Sequence, residues 1–409
     1  QRAMRILHYV SLGTVGGVEH QFAQFIHYTR RHYDVEHAVI ACSKRVHPHL
    51  VEDITGDAVS VAFEKRTARF KIPSWLPAAR VAHQRRIARA ARPDVALLWN
   101  RMGENWRAVR AVGGGRCIYW DRGSSWLPGE EAEKRRLLSE VRCALSNSHA
   151  SRRMLQLRWN FQGDIALCLN ALRPNIVPAA SMARVFPSDE PIRIGVAARL
   201  ESIKGVVLAV HAIAALQRRG LDAELHVAGT GNDQSVIEQL IDRLGVQDHV
   251  VLHGLVRDMS AFYASVHCLL HLALREPFGA VNVEAMVHGC PVITSNVDGL
   301  PEVVTHGSSG IVLQPTLDLS VYRNLGGKTD KLPDYVYDPA SDNIREPHIV
   351  DPEKAAVEIE RLFDDPVRYE RMSRQAVEEA RSRFDYSRHA DAVMDAVTRF
   401  NREGRVSSG

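Results

Sequence analysis

The chain has 409 residues, 45% of them hydrophobic and 24% charged, which is ordinary globular usage and excludes disordered and collagen-like classes. At about 100–200 residues per domain this length predicts two domains or three, each large enough to bury its own core without disulfide or metal staples. The formal charge of +4 is too small to imply nucleic acid, and no apolar run reaches the roughly 18 residues of a membrane span.

In chain order, short β-rich runs alternate with longer helical patterns. Strands are expected at Arg5–Val10, His37–Cys42, Val59–Phe63, Asp94–Trp99, Cys117–Trp120, Cys143–Ser146 and Ile165–Leu169. A second series covers Ile192–Ala197, Glu224–Ala228, Val250–His253, Cys268–Leu272, Val292–Ser295 and Gly310–Leu313. Helical periodicity marks Val18–Arg31, Leu76–Ala91, Lys204–Arg219, Ser235–Leu244 and Val281–His288. Strands apolar on both faces, separated by helices, predict parallel sheets covered on both sides: an α/β architecture of two doubly wound Rossmann-like domains. The Pro-rich stretch from Arg173 to Pro178, continuing to Pro187 and Pro191, reads as the linker, giving domains of 1–175 and 176–385. Residues 317–347 lack periodicity and read as an insertion. The tail from Pro352 to Phe400 is helical in three segments, the last long enough to pack back on the first domain, so 386–409 is assigned to it.

Six dispersed cysteines read as buried free thiols. His267 and His271, four apart in a strand-like run, read as core or surface residues rather than a metal site. With no signal-peptide pattern, the chain reads as cytoplasmic.

The most informative segment runs from Arg275 to Met286. Glu276 ends a strand-like run and Glu284 falls inside the next helix; eight residues turn a helix by about 800°, so both carboxylates can face one region. Amides near Phe278, Gly279, Ala280 and Val281 form a helix N-terminus suited to a phosphate. Two carboxylates beside that seat suit the hydroxyls of a sugar and a ribose; the alternative is a helix cap and a solvent-facing Glu. Arg199 and Lys204, just after the first strand of the second half, either neutralise a diphosphate or form an exposed basic loop. Gly229-Thr230-Gly231 and the loop Gly13-Thr14-Val15-Gly16-Gly17 offer close backbone approach, and neither makes a dinucleotide fingerprint.

Together these motifs resemble the retaining sugar-nucleotide glycosyltransferases of the GT-B fold, glycosyltransferase family 4, across nearly the whole chain and most strongly from Ile192 to Pro315. The E-x-F-G-x-x-x-x-E pattern falls on Glu276, Phe278, Gly279 and Glu284, and the Arg and Lys of the donor diphosphate match Arg199 and Lys204. The resemblance implies two domains facing across a cleft, with a C-terminal helix crossing back to the first. It further implies that Glu276 binds donor-sugar hydroxyls, Glu284 the ribose, Ala280 and Val281 the diphosphate, and Leu255–Val256 the base, with Gly16 and Gly17 near the donor. It implies transfer with retention and without a metal or other cofactor, and the sequence contains no Asp-x-Asp. Where relatives carry a His after the fifth strand, this chain has Trp120 and Asp121, so Asp121 either takes the polar contact beside the sugar or serves as a turn or cap aspartate.

Between Glu64 and Arg92 nine residues are basic against one acidic. With Phe70, Trp75 and Leu76 nearby, this stretch, including Arg69, Arg85, Arg86 and Arg89, suits an anionic membrane surface or a phosphorylated lipid-linked acceptor, or else forms a solvated helix face. The resulting expectation is a hexosyltransferase acting from a nucleotide-sugar such as GDP-mannose or a UDP-sugar. Its acceptor would be a glycan or lipid-linked group of surface polysaccharide or lipopolysaccharide synthesis, at the inner face of the cell membrane. A sugar-nucleotide epimerase or phosphorylase on the same scaffold, or a silent sugar-nucleotide-binding subunit, are the alternatives.

Overall fold

A computed structural model describes residues 2–14, 16–67, 70–73, 75–178, 180 and 182–408. Val15 of the first glycine loop and Arg69 of the basic stretch lie outside the described residues. The chain forms two compact units, residues 1–169 with 387–409, and residues 170–386.

The first unit runs β1 (Met4–Val10), α1 (Gly17–His32), β2 (Val35–Ala41), α2 (Pro48–Asp57), β3 (Ala58–Phe63), α3 (Pro77–Ala91), β4 (Val95–Trp99), α4 (Trp106–Val112), β5 (Cys117–Asp121), α5 (Glu131–Glu140), β6 (Cys143–Ser146), α6 (His149–Leu157) and β7 (Asp164–Leu167). Its seven strands lie in the order β3-β2-β1-β4-β5-β6-β7, all parallel. Side chains alternate along each strand, so the sheet builds two cores at once. Ile6, Val10, Leu97 and Trp99 face Phe22 and Phe25 of α1 and Leu50 of α2, whereas Leu7, Tyr9, Ala96 and Leu98 face Ala88 of α3, Val109 of α4 and Leu137 of α5.

The second unit continues with β8 (Ile192–Ala197), α7 (Val206–Arg218), β9 (Ala223–Ala228), α8 (Gln234–Leu244), β10 (Val250–Gly254), α9 (Met259–Ser265), β11 (Cys268–His271), α10 (Ala280–Val287), β12 (Val292–Ser295), α11 (Leu300–Val303) and β13 (Gly310–Leu313). After these come α12 (Leu319–Asn324), β14 (Val336–Asp338), β15 (Asn343–Arg345), α13 (Pro352–Phe363) and α14 (Pro366–Arg383), and finally α15 (Tyr386–Glu403). The six-stranded sheet has the order β10-β9-β8-β11-β12-β13, again parallel. Helix α7 is apolar almost all round and is buried between β9 and β11 on one side and α13 on the other. On the opposite face Ser373 of α14 donates to the Gly289 carbonyl at 2.7 Å, just past the end of α10.

Helix α15 returns to the first unit, where Val393, Val397 and Phe400 join the core formed with α1 and β4. The stretch 317–347 is ordered: α12 and the antiparallel β14–β15 hairpin occupy it, and Leu317 bridges to Ile349. All six cysteines are free and buried. No helix among the described residues is long and apolar enough to cross a membrane.

Candidate functional site

The carboxyl ends of β8, β9 and β11 converge, and the loops leaving them carry the motif residues. A sequence-based helix from Lys204 starts two residues late, because Ser202–Lys204 closes a 3-10 turn and Gly205 follows at φ 65°. A Cβ on Gly205 would stand 2.0 Å from the Leu272 carbonyl oxygen, so only glycine lets this loop press against the chain leaving β11. The Leu274 amide then donates to the Ile203 carbonyl at 2.9 Å, locking the two loops side by side. Gly229 plays a related part: its missing side chain makes room for the Ala198 carbonyl, 1.8 Å from where a Cβ would be. The close backbone approach expected at Gly229–Gly231 is therefore to residues 198–200 of this chain, since a Cβ on Gly231 would meet the Leu200 carbonyl oxygen at 2.4 Å.

This locking sets Lys204 Nζ 2.6 Å from Glu276 Oε2, with both side chains about one-sixth exposed, at 17% and 15%. Burial pushes the Glu276 carboxyl up, but the Lys204 ammonium, with His271 and Arg275, outweighs it and holds the group at about 2. His271 Nε2 lies 3.8 Å from the same Oε2, and its Nδ1 is 2.8 Å from Asn282 Oδ1. Burial, helped by Lys204 and opposed by Glu276, holds His271 below its usual value. One oxygen of Asp298 accepts the Glu276 amide at 2.9 Å and the other accepts the Tyr337 amide of β14 at 2.7 Å.

Beyond Glu276, Phe278 is buried, with its ring edge-on to Phe384 at 5.7 Å, which anchors the loop. Gly279 caps α10, and half-buried Ala280 and Val281 open it with their amides free of helical partners. Glu284 lies on α10 with both oxygens engaged: Arg173 Nη2 at 2.8 Å and the Tyr263 hydroxyl at 2.9 Å. Burial and the Glu284 charge push the Tyr263 phenol well up. Val256, half-buried, and Leu255, 77% exposed, follow β10.

Arg199 is not drawn into this cluster. Its side chain is 70% exposed and its Nη1 donates to Glu201 Oε1 at 2.9 Å. In the first unit, the expected sugar contact of Asp121 is corrected. The residue is fully buried and accepts from the Tyr119 hydroxyl (2.9 Å), the Ser125 amide (3.0 Å), the Ser125 hydroxyl (2.6 Å) and the Ser151 hydroxyl (2.7 Å). With both oxygens filled, it fastens the end of β5 to α6, the part of a turn and cap aspartate. Gly16 caps α1 and Gly17 opens it; Glu19 of the first turn accepts from the Thr14 hydroxyl at 3.0 Å.

The basic stretch is exposed where it was expected to be. Trp75 is 75% and Phe70 74% exposed, and Arg85, Arg86 and Arg89 line the outer face of α3. His271 is buried, as a core strand residue would be, but its approach to Glu276 had no signal in the sequence, and neither had the parts of Asn282, Asp298, Arg173 and Tyr263.

Residues 180–321 match the family model described as glycosyl transferases group 1. An uncharacterized glycosyltransferase of Methanocaldococcus jannaschii is 35% identical over 119 residues, 29% of this chain and 30% of that protein. The lipopolysaccharide core biosynthesis glycosyltransferase LpsD of Rhizobium meliloti is 22% identical over 398 residues, 97% of this chain and 98% of that one. The crystal structure of Anabaena HepE in complex with UDP and glucose superposes with a TM-score of 0.71 at 18% identity, covering 97% of this chain and 99% of that one. The matched segment spans less than a third of the first curated relatives. The two parallel-sheet units are thus those of the GT-B fold, and within the second unit residues 180–321 are similar to the glycosyl transferases group 1.

Proposed function

We propose that the protein is a retaining glycosyltransferase. It moves a hexose-type sugar from a nucleotide diphosphate sugar to a glycan or lipid-linked acceptor in surface polysaccharide or lipopolysaccharide synthesis. The observation that carries this reading is the 2.6 Å pair of Lys204 and Glu276 beside the open N-terminus of α10. A cation and a ring of backbone amides suit a diphosphate, and an ionised carboxylate between them suits sugar hydroxyls. The group 1 match, the Rhizobium relative and the UDP-bound fold neighbour support the same substrate class.

In this scheme the bond from the anomeric carbon to the diphosphate oxygen breaks while the acceptor oxygen bonds to that carbon on the same face. The acceptor proton passes to a phosphate oxygen of the leaving group. Lys204 and the α10 amides stabilise the charge that develops on the diphosphate, the work given to a divalent cation in other transferases. Glu276 orients the sugar by accepting from its hydroxyls. The Glu284 carboxylate exchanges Arg173 for the ribose. Acceptor recognition falls to the first unit, with Trp75, Arg85, Arg86 and Arg89 of α3 and its approach meeting an anionic membrane.

The test is slow turnover of a panel of UDP-, GDP-, ADP- and CMP-sugars, with the released sugar followed by proton NMR. The scheme predicts release of the α or β anomer that matches the donor. Release of the opposite anomer would contradict retention, and interconversion of free sugar nucleotides would make the protein an epimerase.

A further inference from the structure

A second charged cavity lies in the first unit, at the amino ends of its strands. It measures about 500 Å³ and is lined by Arg2, Arg89, Arg92 and Arg116 against the single carboxylate of Asp94. That carboxylate is already spent: Asp94 Oδ2 accepts the Arg5 amide at 2.8 Å, and both oxygens lie 3.1 Å from Arg2 Nη2. Arg89, Arg92 and Arg116 are exposed and form no ion pair among the described residues. Arg92 sits in the left-handed region at φ 47°, unusual for a residue other than glycine, where it ends α3 at the cavity mouth. The remaining wall is formed by Ala88, Pro93, Ala111 and Val112, which are apolar, and by Asn401 of α15.

We propose that this cavity binds a phosphate ester, at a site separate from the donor site of the second unit. Three unpaired guanidiniums present forked donors to phosphate oxygens, which take them two at a time. The apolar wall meets the carbon part of the ester. The volume is that of a small-molecule pocket and exceeds the needs of a lone inorganic ion. Such an ester is either a soluble phosphorylated metabolite or the headgroup of an anionic phospholipid.

The test titrates glycerol 1-phosphate into the full-length protein by calorimetry and, separately, measures sedimentation with vesicles of phosphatidylglycerol in phosphatidylcholine. Two double variants remove equal charge: Arg92→Ala with Arg116→Ala inside the cavity, and Arg85→Ala with Arg86→Ala outside it. Loss of two charge-assisted contacts predicts that the cavity variant binds glycerol 1-phosphate at least about tenfold more weakly, while the outer variant changes by less than about twofold. A cavity variant that loses the ester but keeps vesicle binding identifies a soluble ligand. One that loses vesicle binding more than the outer variant does identifies the headgroup. Equal weakening by both variants in both arms would show diffuse attraction and overturn the proposal. So would a lowered melting temperature with unchanged binding, which would show that the arginines serve only the ends of α3 and α4. No binding of either ligand to the wild type, up to about 10 mM ester, also overturns it.

Discussion

Asp298 holds Glu276 from behind, its carboxylate taking the Glu276 amide at 2.9 Å while the other oxygen takes the amide of Tyr337 at 2.7 Å. The β14–β15 hairpin and the loop carrying Glu276 thereby share one buried anchor, and Asp298 keeps a left-handed backbone at φ 50° to make it. Asp298→Asn preserves that backbone preference but turns one acceptor into a donor facing an N–H. The expected cost is about 1–3 kcal/mol of stability, read as a lower melting temperature, together with weaker donor binding. Unchanged donor affinity in a destabilised variant would confine Asp298 to the hairpin.

Asp121 calls for the reverse pattern. Four donors converge on it in a fully buried position, so Asp121→Ala strands hydroxyls and an amide without partners. A loss of about 2–4 kcal/mol follows, while the folded fraction turns over at close to the wild-type rate. Thermal melts and active-site-normalised kcat separate the two effects. A fall in kcat without a fall in melting temperature would return Asp121 to the reaction.

Acid should destabilise the first unit through a buried histidine chain. The Trp99 indole donates to His8 Nδ1 at 3.0 Å, His8 Nε2 meets His37 Nδ1 at 2.9 Å, His37 Nε2 meets the Thr29 hydroxyl at 2.9 Å, and that hydroxyl donates to the Phe25 carbonyl at 2.6 Å. An indole can only donate, so each imidazole carries its proton on Nε2 and both are neutral. Burial, with His37 beside it, holds His8 well down, and burial brings His37 to about 4 despite Asp57. The unfolded chain binds protons below about 6.5 that the folded chain refuses, so stability is intact above that pH and falls as pH drops toward 4. Denaturation midpoints across that window, with nitrogen NMR of the two rings, check this. Charged His8 or His37 in folded protein at pH 5.5, or a flat profile, would contradict it.

On the outer face of α3, neutralising Arg85, Arg86 and Arg89 together is expected to weaken association with anionic vesicles by roughly a hundredfold, at about 1 kcal/mol per charge near the surface. Vesicle sedimentation at two ionic strengths measures it. Binding equal to wild type would leave the stretch as a solvated helix face.

The strands were legible because a parallel sheet buried on both faces needs apolar runs such as Val95–Trp99 and Val292–Ser295, and these stand out between helical patterns. Short helices such as α4 and α9, seven residues each, carry too few turns to show a period. The β14–β15 hairpin has three-residue strands in a Pro- and Asp-rich context, so its stretch read as an irregular insertion. In the site, Lys204 and Glu276 were readable from residue type and motif spacing. His271 was not, because its apolar neighbours match a core strand and its partner Glu276 approaches only after the chain has turned back. Glu284 was placed on α10 by its spacing, yet its hold on Arg173 and Tyr263 depends on residues 111 and 21 positions away.

The central claim is that Lys204 and Glu276 grip a sugar nucleotide, and calorimetric titration of the best-binding donor into wild type, Lys204→Met and Glu276→Gln tests it most directly. The account predicts saturable binding to wild type, weakening by about ten- to a hundredfold in Lys204→Met, and a larger loss in Glu276→Gln for the sugar nucleotide than for the free nucleotide diphosphate. Equal affinity of all three proteins for the donor would contradict it.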